Sequence, residues 1–367
     1  MTPLHFHQQE LTHPPSRKKP SYPISNDFRQ YLRQHGREVQ LPVQYQDLQR
    51  FTYSVPLMDR AGNYTLWEQI SYDMKEWEWI RDGLVHMYAI LKTEGDLRFS
   101  KHLKVARIDY CTFGNSNPFR IRIVNQYNDN YDHFYIKVAD ASRVYGLELE
   151  HILSPDHINF FTCGETLVEE HIPGIPGDVF IQDYLPQANT NLIRFAKEFV
   201  KFNERCFVRL LGDMRSYNFV VNIIPDIEDV QYRIRAIDFD QQSYEGRKKL
   251  YLPQFFKENL PLVQVCMDHL NDDSIEQYQT EEKSLMAYRV SASRYRLASL
   301  IQLMQEDTLS TTEKTEQLAK ELYEHYQDEA FLQCSQMGAI VKMQLKKTLY
   351  AKLQQITKDH QSGFFSS

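Results

Sequence analysis

Leu211-Gly212-Asp213-Met214-Arg215-Ser216-Tyr217-Asn218-Phe219-Val220-Val221 and, a little further on, Ile234-Arg235-Ala236-Ile237-Asp238-Phe239-Asp240 carry the reading of this chain. In the first stretch, apolar runs flank a polar loop in which Asp213 and Asn218 stand five positions apart. A carboxylate there can orient an attacking hydroxyl and take its proton, and a neutral amide oxygen can bind a magnesium ion without overcharging the site. In the second, Asp238 ends an apolar strand twenty residues after Asn218. A carboxylate at a strand end, beside an apolar floor, suits a hard oxygen-seeking cation. Each signal has a plain alternative when taken alone. Two polar residues at this spacing occur by chance, and a strand running into an Asx turn reads the same way.

Upstream, the pattern is β-rich. Residues 104–111, 119–124 and 133–138 read as three antiparallel strands, separated by turn residues at 114–118 and 125–132. A helix over 142–152 and strands over 158–163 and 166–171 complete a five-stranded sheet with one inserted helix. Within the third strand, Phe134-Tyr135-Ile136-Lys137-Val138-Ala139 places a lone lysine among apolar residues. Burying an ammonium without a partner is costly, so something anionic should meet it. The following helix offers Glu148 and Glu150, eleven and thirteen residues later. A lysine held between a carboxylate and phosphate oxygens fits that arrangement. On its own, such a lysine is better explained by an edge strand from which it snorkels to water. The turn Thr112-Phe113-Gly114-Asn115-Ser116-Asn117 is built of small residues that let backbone N–H groups approach an anion. With a single glycine it is, by itself, an ordinary hairpin turn.

The flanks are less specific. Residues 1–26 are polar and proline-interrupted, and read as a flexible arm. A short helix is predicted over 27–37, a hairpin from 51–55 and 64–67 around Arg60-Ala61-Gly62-Asn63, and a helix over 74–91. After Gly174 the reading is a helix over 191–203, short apolar strands at 207–211, 218–224 and 234–239, and helices from Phe255 onward.

Composition bounds the function. The chain has 367 residues and a formal net charge of -7, which argues against non-specific binding of nucleic acid, since a polyanion needs a basic face. The five cysteines lie far apart with no C-x-x-C, so neither a structural zinc nor a redox dithiol is signalled. Such scattered thiols are expected in a reduced, cytoplasmic setting. No apolar run approaches the roughly 18 residues of a membrane span, and residues 1–23 lack an apolar signal core.

The order of these features resembles the protein-kinase-like superfamily, and its aminoglycoside phosphotransferase and choline kinase branch more than the eukaryotic protein kinases. Gly114-Asn115-Ser116-Asn117 is similar to that branch's short nucleotide loop. Leu167-Val168-Glu169-Glu170-His171-Ile172-Pro173-Gly174 resembles its hinge, Gly212-Asp213 through Asn218 its catalytic loop, and Ile237-Asp238-Phe239-Asp240 its Ile-Asp-aromatic-acid motif. The resemblance covers about residues 104–245. It implies an α+β, two-lobed fold: an arm over 1–26, an appendage over 27–103, a small lobe over 104–172 with a five-stranded antiparallel sheet and one helix, and a mostly helical large lobe over 173–367.

It also implies roles. Lys137 would contact the α- and β-phosphates of ATP and pair with Glu148 or Glu150. Asp213 would be the catalytic base. Asn218 and Asp238 would hold Mg²⁺, with Asp240 assisting, and the backbone of Glu169, Glu170 and His171 would meet the adenine. The activity implied is transfer of the γ-phosphoryl group to a hydroxyl of an unidentified substrate. Some positions depart from the branch: Leu211 stands where a histidine often precedes Gly-Asp, Arg215-Ser216-Tyr217 replaces a frequent His-Pro-Gly, and the nucleotide loop is poor in glycine. Those departures, and residues 1–100, which the resemblance leaves unexplained, favour the alternative of a kinase-like nucleotide-binding or scaffolding protein with little turnover.

Overall fold

The computed structural model describes residues 19–59, 62–93, 97–113, 116–227 and 229–363. The chain is α+β, with an antiparallel sheet in its N-terminal part and helices in its C-terminal part.

Helix α1 spans Asn26–Gln34, capped by the Ser25 hydroxyl. Strands β1 (Tyr53–Met58) and β2 (Tyr64–Ser71) form a hairpin, and α2 (Met74–Thr93) follows. Then come β3 (Leu103–Cys111), β4 (Phe119–Asn125), β5 (Tyr131–Val138), α3 (Ala141–Leu153), β6 (Phe160–Cys163) and β7 (Thr166–Glu170). These strands make one sheet in the order β1-β2-β3-β4-β5-β7-β6, seven strands where the sequence reading expects five. The two extra strands are the hairpin. An isolated hairpin is marginal in water, and β3 offers an open edge. Trp67, Glu68 and Gln69 pair there with Cys111, Tyr110 and Asp109.

Alternation gives the sheet two unlike faces. Ile108, Ile121, Ile123, Phe134 and Ile136 point to one side, where Ile80, Leu84 and Met87 of α2 cover them. The register sets Asp109 opposite Arg120, Arg120 opposite Tyr135, and Tyr135 opposite Glu169, so a polar row crosses the other face. Lys137, two residues along from Tyr135, belongs to that face.

The helical part holds a second core. Helix α4 (Leu192–Arg209) buries Phe195, Phe199, Phe202 and Cys206. It continues through 207–209, where the sequence reading places a strand, because Phe207 and Val208 extend its buried face. It stops where Leu210 enters the left-handed conformation (φ 55°) and donates its N–H to Phe207 O. A small sheet follows, in the order β10-β9-β8, from β8 (Ile175–Pro176), β9 (Phe219–Pro225) and β10 (Val230–Ala236). Helices α5 (Leu260–His269), α6 (Asp272–Ala292), α7 (Arg294–Glu306), α8 (Thr312–Tyr326) and α9 (Met337–Gly363) complete it.

The described residues of 27–103 divide between the two cores. Phe28 of α1 stacks on Tyr145 of α3 with ring centroids 3.8 Å apart, and Tyr31 and Leu32 join the helical core. Helix α2 and Ile70 of the hairpin join the sheet core. Among the described residues no helix is long and apolar enough to cross a membrane.

Candidate active site

Three segments meet where the polar face of the sheet looks onto the helical part: β5 and β7, the first turn of α3, and the loops at 210–218 and 237–242. The loops are laced together by backbone hydrogen bonds. Gly212 N–H donates to Gln241 O (3.2 Å), Ser243 N–H to Leu210 O (2.9 Å), and Ile237 N–H to Asn218 O (3.0 Å). Gln242 is fully buried and donates to the Arg209 carbonyl at 2.6 Å. Helix α3 comes close because Gly146 carries no side chain. A Cβ there would sit 3.0 Å from Gln242 Cβ and 3.1 Å from Phe239 Cβ. That approach delivers Arg143, one turn earlier, to the acids that follow β10.

Asp213 adopts the left-handed conformation (φ 59°), unusual for a residue with a side chain. Asn218 Nδ2 donates to its carbonyl at 2.7 Å, and Arg215 Nε to its carboxylate at 2.8 Å. The side chain is about one-third exposed, 35%. Its pKa is raised, first by burial and then by the nearby charges of Asp238 and Glu245, against the pull of Arg215.

Lys137 is paired, though not with the helix. Its Nζ lies 2.6 Å from Glu169 Oε2. Glu148 is held instead by Tyr31 (2.9 Å), Arg296 (2.8 Å) and Arg37 (3.4 Å), and Glu150 by Arg209. Neither glutamate of α3 serves Lys137, because the helix presents Arg143 to the sheet and turns both carboxylates toward α1, α4 and α7. Sequence reading therefore named the wrong carboxylates for this lysine. The signal for the right one was β alternation, which, once β5 and β7 are paired, puts Glu169 on the lysine's face of the adjacent strand, two residues from the Lys137 partner Leu167.

Arg143 was missed altogether. A cation in the first turn of a helix opposes the helix dipole and needs compensation, and here it is complete. Nε meets Asp240 Oδ1 at 2.7 Å, Nη2 meets Asp238 Oδ1 at 2.7 Å, and Nη1 meets Glu169 Oε1 at 3.0 Å. Against the cost of burial, these carboxylates hold the guanidinium pKa well above its ordinary value. Burial raises the Glu169 and Asp240 pKa values, but the cations beside them, Arg143 first and Lys137 after it, together outweigh it and hold both below the usual carboxylate range. Burial and then Asp240 push Asp238 up.

The remaining expected contacts are uneven. Gly114 and Asn115 lie outside the described residues. Ser116 and Asn117 lie by the end of β5, where Val138 N–H donates to Ser116 O at 3.4 Å and Tyr45 Oη to Asn117 O at 2.9 Å. Strand β7 runs between β5 and β6, so the backbone of Glu169 and Glu170 is engaged in the sheet rather than offered to a base. His171, just past the strand, has its ring 3.3 Å from Tyr135 Oη.

Mg²⁺ does not fit the acids as they stand. Asp238 and Asp240 are the right chemistry for it, but each gives an oxygen to Arg143, and Asp238 Oδ1 also accepts the Asp240 N–H at 3.0 Å. Among the described residues no cluster of three or more His, Cys, Asp or Glu could hold a metal ion.

A cleft of about 300 Å³ opens beside Asp213. It is lined by Arg215, Lys249, Leu250, Phe255, Phe256, Lys257 and Glu258, with Arg215 paired to Glu258 at 2.9 Å, and the Asp213 N–H donates to Leu250 O at 3.1 Å.

No protein-family model matches this chain, and no curated protein matches its sequence. Among solved structures, the autoinhibited serine kinase domain of the giant muscle protein titin is similar over 65% of this chain and 91% of that one, at 13% identity and a TM-score of 0.27. A structure of titin kinase and its flanking domains is similar over 65% of this chain and 53% of that one, at 13% identity and a TM-score of 0.26. Both are likenesses to a protein kinase domain.

Proposed function

We propose that this chain is a phosphotransferase that binds a nucleoside triphosphate such as ATP between the polar face of the sheet and the 210–218 and 237–242 loops. The observation that carries the reading is Asp213. It is a non-glycine residue held in the left-handed conformation, with a part-exposed carboxylate of raised pKa that is bonded to Arg215, a residue lining the neighbouring cleft. Strain and a raised pKa cluster at sites where a proton must move. In the step, the acceptor hydroxyl oxygen forms a bond to the γ-phosphorus. The bond from that phosphorus to the β–γ bridging oxygen breaks, and the nucleoside diphosphate leaves. Asp213 takes the hydroxyl proton. Lys137 and Arg143 supply positive charge toward the phosphates. The cleft lined by Phe255, Phe256, Lys249 and Lys257 is the place for the acceptor; its two lysines favour one that carries negative charge, since the Glu258 on the same wall is already paired with Arg215.

A second reading, nucleotide binding without turnover, is favoured by Arg143, which already occupies both acids after β10. One experiment separates the two. The full chain is incubated with γ-labelled ATP and assayed for nucleotide-induced thermal stabilisation and for release or transfer of label. Stabilisation with turnover that Asp213→Asn lowers by about 10²–10⁴ supports the transferase. Stabilisation with no turnover supports the second reading. No stabilisation by any nucleoside triphosphate and no turnover rejects both.

A further inference from the structure

A hard divalent ion needs several carboxylate or carbonyl oxygens turned toward one empty point. At this site the point between Glu169, Asp238 and Asp240 is filled by the Arg143 guanidinium, whose three nitrogens each meet a different carboxylate at 2.7–3.0 Å. Its side chain is 3% exposed. Formal charge is nearly balanced without any ion: three carboxylates stand against Arg143 and Lys137.

The arginine is also anchored where it stands. Asp140 caps α3, accepting from Arg143 N at 3.3 Å, from Tyr22 N at 2.8 Å and from Lys19 Nζ at 2.7 Å. Gly146 seats the next turn against Phe239 and Gln242. Swinging the side chain out would leave three carboxylates facing one another with only Lys137 beside them, and tilting α3 away would break the Asp140 bonds to Tyr22 and Lys19.

We infer that Arg143 is the resident cation of this site, in the place a divalent ion would otherwise take, so that the protein binds no Mg²⁺ there and engages phosphate groups without one. The phosphate part rests on the nucleotide-binding reading above; the exclusion of a divalent ion rests on the arginine alone.

The test begins without nucleotide. Free Mn²⁺ is followed by its EPR signal as it is titrated into the full chain. The wild type should show no saturable binding. Arg143→Met, which empties the point while keeping a long side chain, should gain one saturable Mn²⁺ per chain, and adding Asp238→Asn to it should abolish that site. A saturable site in the wild type that Asp238→Asn removes overturns the inference, and this arm decides even if Arg143→Met fails to fold. The second arm measures the melting shift given by ATP in EDTA and in Mg²⁺. Equal shifts are expected. A shift that appears only with Mg²⁺ overturns the inference. A shift in neither condition counts against the nucleotide reading and leaves the Mn²⁺ titration to decide on Arg143.

Discussion

Glu169 is the residue on which the site's charge balance turns. It meets two buried cations at once, Lys137 at 2.6 Å and Arg143 at 3.0 Å. Glu169→Gln would leave both facing a neutral amide, and breaking a buried pair in this way costs about 3–5 kcal/mol. Lys137→Met should cost less, because Glu169 keeps Arg143. Urea unfolding of the two variants checks the order; a Lys137→Met variant less stable than Glu169→Gln would contradict it. Asp213 makes a prediction in pH. Its folded pKa lies above the unfolded value of 3.8, so the folded state binds the proton more tightly and loses stability as pH rises through that interval. Asn carries no such penalty. The stability of Asp213→Asn relative to wild type should therefore improve from about pH 3.8 upward and level off above the raised pKa. The Arg215 contact needs the carboxylate ionised, so its pull is already contained in that raised pKa and only reduces the size of the change. A difference that is flat over that range would refute the assignment.

At the scale of elements, close approach is set by glycines and by helix ends. Helix α9 crosses α7 at Gly338, where a Cβ would lie 1.9 Å from Met304 O. Backbone cannot yield there as a flexible side chain can. Gly338→Ala should destabilise by about 3 kcal/mol or more, the upper end for overpacking, and should separate α9 from α7. Denaturant unfolding measures the loss, and a cost under about 1 kcal/mol would show that the two helices slide freely. The end of α8 offers the opposite case. Gln327 takes the left-handed conformation (φ 50°) with an exposed side chain. Gly adopts that conformation without the roughly 1–2 kcal/mol that an L-residue loses there, against an entropic penalty of about 0.5–1 kcal/mol for Gly, so Gln327→Gly should give a small net stabilisation, read as a higher melting temperature.

For the whole molecule, the N-terminal residues join the two cores rather than decorate one of them. Residues 19–38 pack with α3 and α7, while 39–59 and 62–93 pack on the sheet. The chain crosses between them at the edge of β6, where Thr162 N–H donates to Arg37 O at 2.7 Å and Val39 N–H to Thr162 O at 3.0 Å. Phe28 is fully buried against Tyr145, and Phe28→Ala should cost about 3–5 kcal/mol. Deletion of residues 1–93 removes α1 from one core and α2 from the other, and should abolish the cooperative melt seen by circular dichroism. A truncated chain that melts like the full one would make this segment an independent module.

Local pattern was enough for the elements that period alone defines. Alternation over 119–124 and 133–138 and helical spacing over 74–91 were legible in the sequence, because each depends on neighbours a few residues away. The hairpin was legible too, but not its place. Pairing with β3 joins residues 67–69 to 109–111, and no local signal states which open edge a hairpin will choose. The site followed the same division. That Lys137 needed a carboxylate was readable from the cost of burying an ammonium. Which carboxylate it found was decided by the pairing of β5 with β7, which brings Glu169 from thirty-two residues away, and by the rotation of α3, which points Arg143 inward and Glu148 and Glu150 elsewhere. Strand register and helix rotation are fixed by packing summed over both cores, and that sum exists only in the folded chain.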